Sequence, residues 1–352
     1  MTNTRRPHIV GNEKPITYAD SGVDIDAAEA VLRQVGDLIK GTHDESVLSD
    51  DQSFCGLIQL TPDLVQGIGN DGVGTKLQVA MMAGRFKGVG MDLVHHMAND
   101  LLCHGVNARQ MVNYFATVNL KEMTDAFIGT LAGMCSACKN HGICVPAGET
   151  AEMPGTYVPG QYDFVGTMIG TVPSNLLVTG STIQPGDQVV GFRSKGIHTN
   201  GFSLARRIIF TELGMGIDDQ LPWGPTIADE LLRGHRSYVQ EVMPLVEAGM
   251  VHGMAHITGG GLPGNLIRQL PEGCRAVLEF GSWPVHEIFT FIREQAREPW
   301  DDWCETFNLG IGFCCIVSRD NVGSALARLG EDAMHIGKII AGERGVELNE
   351  PK

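Results

Sequence analysis

The residues best suited to chemistry open at "GNDGVGTKLQVA", Gly69 to Ala80, where glycines, an aspartate, a threonine and a lysine precede an apolar run. Gly72 and Gly74 allow close backbone approach, Thr75 and Lys76 can meet phosphate oxygens, and Asp71 can hold a hard cation. The order is not that of a Walker A loop, in which lysine precedes the hydroxyl residue. Two readings fit the spacing: a cradle for a magnesium-bound nucleotide, or a glycine turn capping a helix that starts near Thr75.

A second set lies on "MDLVHHMANDLLCHG". At about 100° per residue, Leu93, Val94, Met97, Leu101 and Leu102 fall opposite Asp92, His96, Asn99 and Asp100. A solvated face usually carries Lys and Glu, whereas short Asp and Asn side chains suit oxygen ligation of magnesium. A plain exposed face is the alternative, and His95 and His104 read as structural or exposed. "AGETAEMPGTY" adds Glu149, Thr150 and Glu152 after a strand, either to complete a metal site or to cap the next segment. "GIHTNG" sets His198, Thr199 and Asn200 between glycines before a helix start. That position favours an anion and an acid/base residue, although a loop histidine can be incidental. The glycines of "AHITGGG" offer further backbone amides to phosphate.

Nine cysteines, an odd number, point to reduced thiols. Cys135, Cys138, His141 and Cys144 have a spacing that could suggest zinc. They sit on a predicted helix ending at Gly142, where positions three apart drift by about 60° per step and cannot close one tetrahedron. Small buried residues, with no structural zinc, are the expectation.

The elements that must position these residues follow from pattern. At 352 residues two domains are expected. Hydrophobic content of 43% with 19% charged residues describes a folded chain. A net charge of −15 argues against a nucleic-acid or acidic-membrane binder. No apolar run approaches the ~20 residues of a membrane span, and the N-terminus has no signal-peptide core, so a cytoplasmic enzyme is expected. The first ten to fifteen residues read as a loose tail. "DIDAAEAVLRQVGDLIK" then places Val31, Leu32, Val35, Leu38 and Ile39 on one helical face. Strands at "SFCGLIQL" and "DLVQGIGN" lead into the first motif. A helix at 91–104, a strand at 110–118, a helix at 124–140, a strand into "AGETAEMPG" and the strand "YDFVGTMIGTV" follow. After Pro173 a second α/β unit begins at "TIQPGDQVVGF". It holds "RSKGIHTNGFSLARRIIF" as loop then helix, helices around 226–248, a helix at 284–295, a helix near 320–329 and strands at "RAVLEF" and "LGIGFCCIVS". The boundary falls within 172–180, giving domains 1–175 and 176–352.

Together these segments resemble the aminoimidazole ribonucleotide synthetase family, also called phosphoribosylformylglycinamidine cyclo-ligase. Its carriers are "YADSGVDIDA", "DGVGTKLQVA", "MDLVHHMANDLLCHG", "YFAT", "GETAEMPGTY", "HTNGFSLARRI", "AHITGGGLPGNL" and "TFNLGIG", in family order from Tyr18 to about Gly342. "DGVGTK" with "GETAEMPG" separates it from superfamily cousins such as thiamine-monophosphate kinase. The resemblance implies a two-domain α/β fold whose N-terminal mixed sheet pairs across a homodimer, with ATP near that interface and a C-terminal α/β domain. It implies magnesium on Asp71, Asp92, Asp100 and Glu149, and ATP phosphates on Gly72, Gly74, Thr75, Lys76, Gly148 and Thr150. It places the substrate, formylglycinamidine ribonucleotide, against His198, Thr199, Asn200 and Gly201, with Lys76, His198 and Asp92 catalytic. The implied reaction is ATP-dependent ring closure in purine biosynthesis.

Two departures stand out. The family's flexible, basic glycine-rich loop after the first helix is replaced by the acidic "KGTHDESVLSDDQSFCGLIQL", and Ala147 replaces a glycine before Gly148. They keep two other readings open: a superfamily paralogue with another substrate, or a nucleotide-binding pseudoenzyme.

Overall fold

The computed structural model describes residues 14–23 and 25–350; most of the expected N-terminal tail lies outside them. The first unit holds helix α1 (Ile25–Lys40), strands β1 (Gly56–Thr61) and β2 (Leu64–Gly72), and helices α2 (Lys76–Ala83) and α3 (Lys87–Leu102). Strand β3 (Asn107–Thr117), helix α4 (Thr124–Asn140), and strands β4 (Gly148–Glu152) and β5 (Tyr162–Pro173) complete it. Its sheet runs β1-β2-β5-β3-β4, antiparallel except for the parallel β3/β4 pair. The first motif begins within β2, where Asp71 pairs with Gly166 and Gly72 with Val165.

Helices α3 and α4 pack backbone against backbone on this sheet. A Cβ on Gly90 would stand 1.9 Å from the Thr130 carbonyl oxygen, so only glycine fits there. Leu93, Val94, Met97 and Leu101 fill the core beneath, as the angular pattern of α3 predicts. The apolar side of α1 differs from expectation: Val31, Leu32, Leu38 and Ile39 are exposed, so amphipathic spacing here marks a face that no described residue covers.

The second unit contains β6 (Gln188–Arg193), α5 (Phe202–Arg206) running into a π-helical turn, α6 (Ile227–Leu231) and α7 (Val239–Glu247). It continues with β7 (Val251–His256), α8 (Gly261–Leu266), β8 (Cys274–Leu278), α9 (Glu287–Ala296) and α10 (Trp300–Thr306). The last elements are β9 (Ile311–Val317), α11 (Val322–Leu329), β10 (Ala333–Ala341) and β11 (Gly345–Leu348). The six-stranded sheet runs β11-β8-β10-β6-β9-β7, and only β11/β8 is parallel. The helices expected around 226–248 are α6 and α7, separated by a non-helical stretch at 233–238. That stretch lies over the polar side of α3 and sets the candidate site.

Candidate active site

The stripe on α3 is not a solvated face. Asp92, His96 and Asn99 are buried, because the second unit lays three segments over them: 198–203 before α5, 233–238, and the end of β7. Asn99 anchors the middle segment, accepting the Tyr238 N–H at 3.0 Å and donating to the Arg236 carbonyl at 2.8 Å. Asp92 Oδ1 accepts the His235 N–H at 2.7 Å.

Lys76 opens α2 but points inward. Its Nζ lies 2.6 Å from Asp92 Oδ2 and donates to the carbonyls of His198 at 2.9 Å and Arg233 at 2.8 Å. Two of the three ammonium hydrogens go to these carbonyls, and the charge is paired with Asp92. Lys76 is therefore not placed as a phosphate contact, and Asp92 is not placed as a magnesium ligand: each neutralises the other inside the joint between the two units.

Asp71 and Asp100 do converge. Asp71, at the end of β2, and Asp100, on α3, meet on either side of His96 Nε2, at 2.8 Å and 3.4 Å. Burial alone would raise the Asp71 carboxyl, but the His96 ring and the Gly72 N–H hold it below the usual carboxylate range. Burial alone would lower His96, but Asp100, Asp71 and Asp92 raise it to about 9. The Asp71 side chain is 45% exposed and that of Asp100 16%, so the pair forms the mouth of a buried polar cluster. Two carboxylates at a solvent-facing mouth fit magnesium, which takes one or two protein carboxylates plus phosphate and water oxygens. Glu149 does not join them. It is exposed on edge strand β4, three strands from β2, hence roughly 14 Å away within one chain. Gly148 and Thr150 share that exposed strand.

The glycine turn itself is open. Gly74 has φ +73° with nothing near the position of a Cβ, and Thr75 Oγ1 lies 3.2 Å from Ser203 Oγ across the two units. Asn200 is half-buried, its side chain 3.5 Å from where a Gly259 Cβ would stand, so the "HTNG" and "TGGG" loops meet beside the first motif. Gly201 and Thr199 are buried; Thr199 Oγ1 contacts His96 Nδ1 at 2.9 Å.

His198 lies elsewhere than expected. Its ring is buried, takes the Lys195 N–H on Nε2 at 3.2 Å, and stacks on His235 with centroids 4.1 Å apart. Burial, then the nearby His256 and Lys76, push its pKa well below the ordinary value. The neutral ring is turned inward, and its buried Nδ1 has no hydrogen-bond partner among the described residues. Its backbone is the active part: φ is +66°, rare for a non-glycine residue, and the carbonyl so placed receives Lys76.

His95 and His104 are structural. His95 Nδ1 meets the His235 carbonyl at 2.7 Å, and His104 bridges Phe54 N–H and the Val178 carbonyl. On α4 Cys135 is exposed and Cys138 buried. The acidic loop is held to the second unit, where Arg268 donates to the carbonyls of Gln52 and Ser53 and covers the Phe54 ring at 3.8 Å. Sequence reading passed over His235 entirely and noted His256 only for neighbouring amides. The signal for His235 was a histidine between glycine and arginine in "RGHRSY", a poor helix centre.

Residues 52–172 match the family of AIR synthase related protein, N-terminal domain, and residues 184–348 match the C-terminal domain of the same description. The chain is 41% identical over 347 residues to a phosphoribosylformylglycinamidine cyclo-ligase of Geobacter metallireducens, covering 96% of this chain and 99% of that protein. Among solved structures it is similar to thiamine-monophosphate kinase from Stenotrophomonas maltophilia (TM-score 0.59, 18% identity, 89% of this chain and 95% of that one). It is also similar to hydrogenase maturation protein HypE in complex with ATP (TM-score 0.60, 22% identity, 89% of this chain and 87% of that one). These two likenesses concern the fold.

Proposed function

The chain belongs to the phosphoribosylformylglycinamidine cyclo-ligase family, and on that premise we propose that it closes formylglycinamidine ribonucleotide to aminoimidazole ribonucleotide, converting ATP to ADP and phosphate. The full-length match to named cyclo-ligases carries this reading and favours it over a paralogue or a pseudoenzyme. An amide oxygen leaves poorly, so the formyl oxygen must first take the γ-phosphoryl group; attack by the amidine nitrogen then closes the ring and expels phosphate.

The geometry supports a division of this work. Asp71 and Asp100 would hold magnesium at the mouth. Magnesium there would offset charge on the transferring phosphoryl group. With the Gly72 and Val73 N–H groups bonded to Asp71 and Phe164, the N–H groups from Gly74 to Lys76 at the start of α2 are the ones left for phosphate oxygens. Lys76 and Asp92 act as positioning residues, fixing the turn against the His198 carbonyl. Asn200 and the glycines at 259–261 line the substrate side.

The dimer belongs to this reading too. On β5 the residues Val165, Thr167, Ile169 and Thr171 are only half-buried on the sheet face away from the core, which supports pairing with a second copy's sheet. The domains are taken as 1–175 and 176–352, meeting at the short turn Ser174–Leu176. Among the described residues no helix is long and apolar enough to cross a membrane, and a cytoplasmic location is proposed. Substrate labelled with heavy oxygen at the formyl group tests the chemistry. The label should appear in released phosphate; label retained in the organic product would refute phosphorylation of that oxygen.

A further inference from the structure

Behind the Asp71–Asp100 mouth lie three buried histidines to which the proposed reaction assigns no role. His96 comes from α3 of the first unit, His235 from the stretch between α6 and α7, and His256 from the end of β7. One ligand nitrogen from each lies within 4.8 Å of the others. Their ring centroids are 5.3 Å apart for His96 and His235, and 5.0 Å for both other pairs. Imidazoles bound at ~2.0 Å around one tetrahedral ion have centroids roughly 5 Å apart, so the rings already stand at that separation.

The proton arrangement points the same way. The Asn99 amide is oriented by its two backbone partners, and the same Nδ2 approaches His235 Nε2 at 3.3 Å, so that nitrogen presents a lone pair. His256 Nδ1 lies 2.8 Å from Asp100 Oδ1, and a carboxylate only accepts, so neutral His256 carries its proton on Nδ1. Its Nε2 lone pair then faces His235 Nε2 at 2.9 Å. A cation placed between these two nitrogens would meet both within bonding reach. The outer contacts match those of metal-bound histidines: a carboxylate behind His256 and the Thr199 hydroxyl 3.3 Å from His235 Nδ1.

We propose that His96, His235 and His256 form a binding site for one divalent transition metal ion, zinc by ligand type, which ties α3 of the first unit to two segments of the second. The partly exposed Asp71 and Asp100 give the ion its way in. Three imidazoles select a borderline-soft ion, whereas magnesium keeps to the carboxylates outside.

Cobalt(II) is the direct probe, added to untagged full-length protein stripped of metal by a chelator. The expected result is one ion per chain with the intense visible absorption of tetrahedral cobalt, and its displacement by zinc. His235→Ala and the gentler His235→Gln should each weaken binding by at least ~100-fold, with thermal melts identifying which variant is folded. Asp71→Asn should keep the cobalt spectrum while raising the magnesium needed for turnover, which separates this site from the magnesium reading. Failure of wild type to bind cobalt, a weak octahedral spectrum, or equal binding by a folded His235 variant would each overturn the proposal; the facing nitrogens would then share only a proton.

Discussion

Lys76 Nζ and Asp92 Oδ2 meet at 2.6 Å in full burial, joining the phosphate-type motif of the first unit to the polar helix that the second unit covers. Removing one partner leaves an uncompensated buried charge. Lys76→Met should therefore cost ~3–5 kcal/mol in denaturant unfolding at fixed protein concentration. The double variant Lys76→Met/Asp92→Leu should lose clearly less than the two single losses combined. Additive losses would show that the pair is not coupled.

Asp71→Asn keeps size and hydrogen bonding but removes one carboxylate from the mouth. The magnesium concentration for half-maximal turnover should rise at least tenfold with little change in melting temperature. An unchanged magnesium requirement in a folded, active variant would take Asp71 out of the metal site.

Gly312 lies under the site on β9, where a Cβ would stand 2.1 Å from Tyr238 Oη and 2.6 Å from the His198 ring. Gly312→Ala should destabilise by ~1–3 kcal/mol through overpacking. Gly264→Ala, with nothing near its Cβ position, should not. Equal melting temperatures for the two variants would contradict this packing of His198.

Glu298 is buried with Oε2 unpartnered, and burial raises its carboxyl to about 7, with only Thr306 donating to it. A raised folded-state pKa gives stability that is full below the unfolded value and lost as pH rises through the folded one. Stability should therefore fall between about pH 4.5 and 7 by up to about 3 kcal/mol from this group. Glu298→Gln should flatten that part of the curve and be the more stable form at pH ~8. Parallel pH–stability curves for both proteins would refute it.

The regular elements were legible where one periodicity ruled. Leu93, Met97 and Leu101 are spaced for one buried face, and they fill it. At α1 the same spacing marks an apolar helix face but does not report whether anything covers it. The nine-residue β10, the short β11, and β7 before the glycine loop were hidden by mixed composition. In the site, Asp71 and Asp100 could be placed together because both belong to strong local motifs. The inward turn of Lys76 and His198 could not, since it depends on the His198 φ and on residues 233–238 arriving from far along the chain. Covering the α3 stripe is a tertiary event, and no window of sequence contains it.

The central claim is the coupled reaction, and one assay meets it directly: purified protein with formylglycinamidine ribonucleotide, ATP and magnesium, scored for aminoimidazole ribonucleotide and ADP together. The account predicts both products in equal amounts and neither when substrate or magnesium is omitted. ADP formed without ring closure, or ATP bound with neither product formed, would contradict it.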